Sequence, residues 1–259
     1  MKKITIKKIL EKKNKQPIAC LTAYSKVTAQ IADKYCDIIL VGDSLGMVLY
    51  GMKNTKQVKL QTMIDHAKTV KKFARKSLVV VDMPYRTYTN KFTAYKNAKN
   101  VIKKTKCDAV KLEGGSEITK TIGYLVKRGI PVMGHIGLLP QTTNKFLFKG
   151  KNLSQKKKIL KDAVEVDKSG AFAIVMECLV QDLAKEITKK VSIPTIGIGA
   201  SKHCDGQILV ADDMIGLSNF YPKFVKKYSN IRKMVDKSVK NYCRDVKLRR
   251  FPSSRYVYN

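Results

Sequence analysis

Leu78-Val79-Val80-Val81-Asp82 is a run of four apolar residues closed by a carboxylate. An apolar run this short and continuous, with no polar alternation, fits a parallel strand covered on both faces. The same form recurs on either side: Ile38-Ile39-Leu40-Val41-Gly42-Asp43 before it, Ala109-Val110-Lys111-Leu112-Glu113 and Ala171-Phe172-Ala173-Ile174-Val175-Met176-Glu177 after it. A carboxylate at the end of a buried strand must be hydrated, paired or bound to a cation. Four of them on neighbouring strands would line a common cleft, as at the rim of a metal site.

Working outward, eight strand candidates can be marked: Ile18 to Thr22, Ile38 to Gly42, Leu78 to Asp82, Ala109 to Leu112, Pro131 to Gly134, Phe172 to Met176, Thr195 to Ile198 and Gln207 to Val210. Helix-length segments with a 3.6-residue apolar period, such as Thr62 to Ala74 and Phe92 to Thr105, separate most of them. Strand and helix in alternation predict a parallel sheet, and eight repeats predict an α/β protein with a closed (β/α)8 TIM barrel, a single catalytic domain over residues 1–259. An open doubly wound sheet is the alternative, because Thr195 to Val210 is too short to hold a full helix between the last two strands. In a barrel the loops after the strands form the active face, which places all four acids there together with His135. Met1 to Lys13 interleaves Lys with Ile and Leu and reads as a short amphipathic helix or arm, not a signal peptide. From about Arg244 the chain reads as a flexible basic tail.

The composition narrows the function classes. With 44% hydrophobic residues in 259, the chain can bury a large core. No apolar stretch approaches the ~20 residues of a membrane span, so no membrane partner is expected. Six scattered cysteines without a Cys-x-x-Cys pair predict a reduced, cytoplasmic protein. A net charge of +32 would attract nucleic acid. However, the excess is Lys, not Arg, and is spread over nearly every helical segment, so it reads as a solvated coating with no specific nucleic-acid partner. Acids in the cleft would also repel phosphate.

Each candidate residue carries two readings. Gly42-Asp43-Ser44-Leu45-Gly46 is either a Gly-rich turn that holds a hard cation or an Asp/Ser pair that caps the next helix. Asp82, ahead of Met83-Pro84, divides the same way. Lys111 and Glu113, two apart on a strand, share a face, and inside a barrel they must pair with each other or bind a ligand. The following Gly114-Gly115 favours the ligand. Glu177 closes the most apolar run, which suits a proton acceptor; a helix N-terminal acid is the alternative. His135 reads first as a hydrogen-bonded core residue, and His66 and His203 receive no role. There is no Walker loop, Ser/His/Asp order or dinucleotide turn.

Taken together, these stretches resemble the ketopantoate hydroxymethyltransferase family. The resemblance is carried by Leu21-Thr22-Ala23-Tyr24, Leu40-Val41-Gly42-Asp43-Ser44-Leu45-Gly46-Met47, Val110-Lys111-Leu112-Glu113-Gly114-Gly115, Pro131-Val132-Met133-Gly134-His135-Ile136-Gly137-Leu138, Ile196-Gly197-Ile198-Gly199-Ala200 and Cys204-Asp205-Gly206-Gln207-Ile208-Leu209-Val210, in family order from about Thr5 to Tyr228. It implies a TIM barrel preceded by a short helix, a homodecamer, bound Mg2+, and 5,10-methylenetetrahydrofolate as co-substrate. The implied reaction, in pantothenate synthesis, moves a one-carbon unit to the small 2-oxo acid 3-methyl-2-oxobutanoate through a Mg-stabilised enolate, giving 2-dehydropantoate and tetrahydrofolate. Residue by residue, it implies metal and substrate contacts at Asp43 and Asp82 and a further metal-associated carboxylate at Glu113. It also implies substrate contacts at Ser44 and Lys111, with Glu177 as the proton acceptor. Glu177 should then stand off the metal while the other three carboxylates face it. Three departures stand out: Ser25 and Ser201 replace a usual Asp and Gly, and the loop from Thr142 to Gly150 is shortened. A competing enzyme reading is the phosphoenolpyruvate/pyruvate barrel group, whose lyase-type cysteine motif is missing here.

Overall fold

The computed structural model describes residues 3–143, 147–219 and 221–258. A short helix α1 (Ile6–Glu11) leads into β1 (Ile18–Thr22), α2 (Lys26–Tyr35), β2 (Ile38–Val41), α3 (Leu45–Val48), α4 (Leu60–Phe73), β3 (Leu78–Asp82), α5 (Lys91–Thr105) and β4 (Ala109–Glu113). Then follow α6 (Thr119–Val126), β5 (Val132–Gly137), α7 (Leu153–Lys168), β6 (Ala173–Glu177), α8 (Gln181–Lys190), β7 (Thr195–Ile198) and β8 (Gly206–Leu209). All eight strands pair in sequence order, in parallel, and β8 returns to β1: the sheet is a closed barrel and not an open doubly wound sheet.

Closure does not need the missing last helix. β7 and β8 pair directly at Ile196↔Gly206 and Gly197↔Gln207 across a short turn. Ser201 organises that turn: its carbonyl accepts from Gln207 Nε2 at 2.8 Å and its hydroxyl accepts from the His203 N–H at 3.2 Å. At Gly206 a Cβ would lie 2.5 Å from the carbonyl oxygen of Ile18, so the close approach of β8 to β1 requires glycine there.

Alternation along the strands divides the core in two. Outward residues such as Ile39, Val79, Val81, Val110 and Leu112 pack under the helices. Inward residues, among them Ile18, Ile38, Leu78, Val80, Ala109, Met133 and Ile208, fill the lower barrel with Ile9 from α1. The N-terminal segment is fastened there by three ion pairs, Lys3 with Asp108, Lys12 with Asp37 at 2.7 Å and Lys13 with Asp205 at 2.9 Å. Each of these aspartates also accepts a backbone N–H from the preceding strand or its start: Val79, Ala19 and Thr195. α1 is therefore the floor of the barrel, and the polar chemistry is left to the opposite end.

Residues Met1–Ala211 and Asp212–Asn259 form two compact units, so the barrel closes within the first and does not run the whole chain. The second contains most of α9 (Ala211–Met214) and all of α10 (Ile231–Lys247), whose first turn is capped by Asn230. The tail expected from Arg244 begins inside α10, and beyond it Phe251 packs edge to face on Tyr242 and lies against Tyr256.

Candidate active site

Inward alternation also explains why the charged residues converge. On β3 and β4 the inward positions that hold Leu78, Val80 and Ala109 lower down hold Asp82, Lys111 and Glu113 at the top. His135 on β5 lies beside Glu113, and Glu177 ends β6. Asp43 and Ser44 follow β2. Lys111 faces inward, with Nζ 3.1 Å from Asp82 Oδ1 and 3.1 Å from His135 Nδ1. An ammonium can only donate, so Nδ1 accepts and the imidazole proton sits on Nε2. That nitrogen faces Glu177 Oε2 at 3.3 Å, just outside hydrogen-bond alignment.

The bland readings of the first motif are set aside by its contacts. Ser44 stands at the N-cap of α3 but makes no side-chain cap; its hydroxyl instead pairs with the Tyr24 hydroxyl at 2.8 Å. Tyr24 is held from behind, because its carbonyl accepts from His66 Nδ1 at 2.7 Å and His66 Nε2 accepts from Tyr50. Asp82 does serve the turn, since Oδ2 accepts the Asp43 N–H at 3.0 Å. Its other oxygen, Oδ1, is buried, with Lys111 nearby but no aligned hydrogen bond.

Charge balance shows what the cleft lacks. Asp43, Asp82 and Glu113 surround one ammonium, and Glu177 stands beyond it against His135. Burial, with the Asp82 charge, pushes the Asp43 carboxyl up to about 7. Burial likewise lifts Glu113 well above the usual range. Burial alone would lower Lys111, but Asp82, Asp43 and Glu113 outweigh it and hold the ammonium charged. Burial, reinforced by Lys111, lowers His135 and keeps it neutral. An excess of hard oxygen donors, two of them driven toward protonation, and one orphaned carboxylate oxygen suit a hard divalent cation. Among the described residues no three His, Cys, Asp or Glu side chains converge tightly enough to enclose an ion. Protein groups alone therefore supply only part of a coordination shell.

Three readings change. Glu177 is not the acid in the most apolar setting: its side chain is 15% exposed, against 4% for Asp82 and 2% for Glu113, and it faces a histidine. His135 is buried and hydrogen-bonded, as a core histidine would be, yet its partners are the site itself. Gly114-Gly115 has a structural cause. Gly114 sits at φ +145° where its N–H meets the His135 carbonyl, and a Cβ on Gly115 would lie 2.3 Å from Asp162 Cγ. The sequence reading also missed Gln141 and Tyr88. Gln141, from the loop after β5, donates from Nε2 to Asp43 Oδ2 at 2.7 Å and from its backbone N–H to Glu113 Oε1 at 2.8 Å. The shortened loop lies partly outside the described residues, at 144–146. Its returning limb pairs with the segment after Glu177, through Lys149 N–H to Cys178 O at 2.7 Å. Ser25, one of the three departures, is the N-cap of α2 in a capping box with Thr28.

The sequence model of the family described as ketopantoate hydroxymethyltransferase matches residues 3–254. The chain belongs to the ketopantoate hydroxymethyltransferase family. It is similar to the 3-methyl-2-oxobutanoate hydroxymethyltransferases of Pelagibacter ubique (53% identical over 97% of this chain and 99% of that one) and Bartonella tribocorum (50% over 100% and 97%). Ketopantoate hydroxymethyltransferases are transferases, and this chain is an enzyme of that class. The fold of this family member is shared with solved structures of much lower identity. Phosphonopyruvate hydrolase, in complex with oxalate and Mg++, matches at TM-score 0.62 and 11% identity over 97% of this chain and 93% of that one. A 2,3-dimethylmalate lyase matches at TM-score 0.60 and 11% identity over 96% and 89%. The barrel expected from the eight apolar runs is thus the architecture of this family member.

Proposed function

We propose that this chain carries a one-carbon unit from 5,10-methylenetetrahydrofolate to C3 of 3-methyl-2-oxobutanoate, giving 2-dehydropantoate and tetrahydrofolate in coenzyme A precursor synthesis. The observation that carries the reading is the chain of contacts Asp82, Lys111, His135 and Glu177, which joins a charge-binding end to a proton-accepting end within one cleft.

Asp43, Asp82 and Glu113 are the residues that would hold Mg2+. A bound Mg2+ supplies electron withdrawal at the substrate's keto oxygen, where negative charge develops when the C3 proton leaves. Magnesium commonly takes one or two carboxylates and fills its shell with water and substrate oxygens, which fits a site lacking three convergent protein ligands. Lys111 faces the substrate carboxylate, and Ser44, steadied by Tyr24, donates to the same end. Glu177 takes the C3 proton. His135 donates Nε2–H to Glu177 and fixes the direction of its free oxygen; a catalytic contact that is long before substrate binds tightens in the complex. C3 then bonds to the methylene carbon, the two carbon–nitrogen bonds to the folate break as its nitrogens take up the C3 proton and one proton of a water, and the rest of that water becomes the hydroxyl.

We read the protein as a cytoplasmic homodecamer. The compartment is supported by the six cysteines, which stay apart as free thiols, and the decamer rests on the family resemblance alone. Light scattering of the purified chain checks the size. The deciding assay is Mg2+-dependent formation of 2-dehydropantoate from both substrates. Product that requires cation and folate together is expected; folded protein giving none, or product without folate, would refute the assignment and favour a relative in the phosphoenolpyruvate/pyruvate barrel group.

A further inference from the structure

Gln141 is the most connected side chain in the cleft that the proposed chemistry does not use. It is 1% exposed and comes from the loop after β5, yet it touches groups that follow β2 and β3 and the last residue of β4. The Nε2 group donates to Asp43 Oδ2 at 2.7 Å and to the Met83 carbonyl at 3.0 Å. Both of those partners accept, so the amide oxygen must point the other way, and it receives the Tyr88 hydroxyl. The same hydroxyl lies 3.1 Å from the Glu113 carbonyl, and the Gln141 backbone N–H donates to Glu113 Oε1. One residue therefore fastens one oxygen each of Asp43 and Glu113, while the Asp43 N–H fastens one of Asp82.

We infer that Gln141, aimed by Tyr88, is a positioning residue for the cation carboxylates Asp43 and Glu113. This rests on the reading of Asp43, Asp82 and Glu113 as the carboxylates of the cation. The physical ground is that partners holding a ligand's spare oxygen set its direction and rotamer, and their loss weakens metal binding without removing a ligand. Because the backbone N–H to Glu113 survives substitution, the side chain can be tested alone.

The test is Mn2+ binding to the full chain, read from the electron paramagnetic resonance signal of the free ion, for wild type, Gln141→Met, Tyr88→Phe and the double variant. Gln141→Met keeps the volume and removes the donor. It should weaken Mn2+ binding about tenfold to a hundredfold, while kcat at saturating Mn2+ stays within about threefold of wild type. Tyr88→Phe should weaken it about threefold and add nothing in the Gln141→Met background. Affinity equal to wild type in Gln141→Met, or additive losses in the double variant, would overturn the inference alone. A wild type that binds no Mn2+ would overturn it together with the reading of the site.

Discussion

His135 shows how much of the proposed chemistry rests on one tautomer. Lys111 must donate to Nδ1, so Nε2–H is left for Glu177, and no other arrangement satisfies the ammonium. A base whose free oxygen swings loses near-attack geometry, and a misplacement of 1 Å can cost about a hundredfold in rate. His135→Ala should therefore slow C3-proton release by about that factor with little change in the KM for the oxo acid, whose binding the proposal assigns to Lys111 and Ser44. Steady-state kinetics with deuterated substrate would check it; a rise in KM at unchanged kcat would move His135 from the base to substrate binding.

At the scale of elements, the floor of the barrel and its rim do different work. The Asp205 carboxylate receives Lys13 Nζ, the Asn14 N–H at 2.8 Å, and the Thr195 N–H and hydroxyl, which ties α1 to the start of β7 and the approach to β8. Burial would raise its pKa, but Lys13 and the Thr195 and Asn14 N–H groups outweigh burial and hold it below the ordinary range. A depressed carboxyl binds fewer protons folded than unfolded, so its stabilisation is full above the unfolded value near 3.9 and is lost as pH falls through the folded value. Removing a buried partner costs about 3 kcal/mol. Asp205→Asn should accordingly lower the melting temperature at pH 7 by about 6–10 °C and flatten its fall between pH 5 and pH 3. A variant melting like wild type at both pH values would contradict the clip.

The elements themselves were largely legible. Strands covered on both faces appear as unbroken apolar runs, and β1, β3 and β7 match their expected limits. β5 runs on to Gly137, past the expected end at Gly134, because its ladder with β6 continues through Ile136↔Met176 and Gly137↔Glu177. In sequence, Gly134-His135-Ile136-Gly137 has the small bulk of a turn. The acids were visible because carboxylates at strand ends break an apolar pattern. Gln141 and Tyr88 break none: they are ordinary loop residues whose meaning depends on which strand ends face each other across the barrel. Gly114-Gly115 misled for the same reason, since Asp162, the neighbour that demands glycine, is 47 residues from Gly115 in sequence and reaches it only through the packing of α7.

For the whole molecule, the balance of 52 basic against 20 acidic side chains is the dominant field. Many of the acids are spent locally, on the three floor clips, in the cleft and at Asp162 under Ser116, and this leaves the lysines of the helices to repel one another. Self-repulsion of this kind destabilises the compact state and is screened by salt. The melting temperature should rise by at least about 3 °C between 20 and 300 mM KCl, as the Debye length falls below ~10 Å. A flat or falling curve in scanning calorimetry would mean that the coating is already neutralised by bound counterions or by partners. The same field brings polyanions near, but the cleft at the strand ends is acidic, and binding of unrelated DNA should vanish at physiological salt.

Proton transfer at C3 is the step on which the proposed chemistry depends. Solvent-deuterium exchange into 3-methyl-2-oxobutanoate, followed by NMR with Mg2+ and no folate, isolates that step from the carbon transfer. Wild type should exchange C3–H, Glu177→Gln should not, and both should bind the cation equally. Exchange at the wild-type rate in Glu177→Gln would contradict the assignment of the base and the division of the four carboxylates on which the mechanism depends.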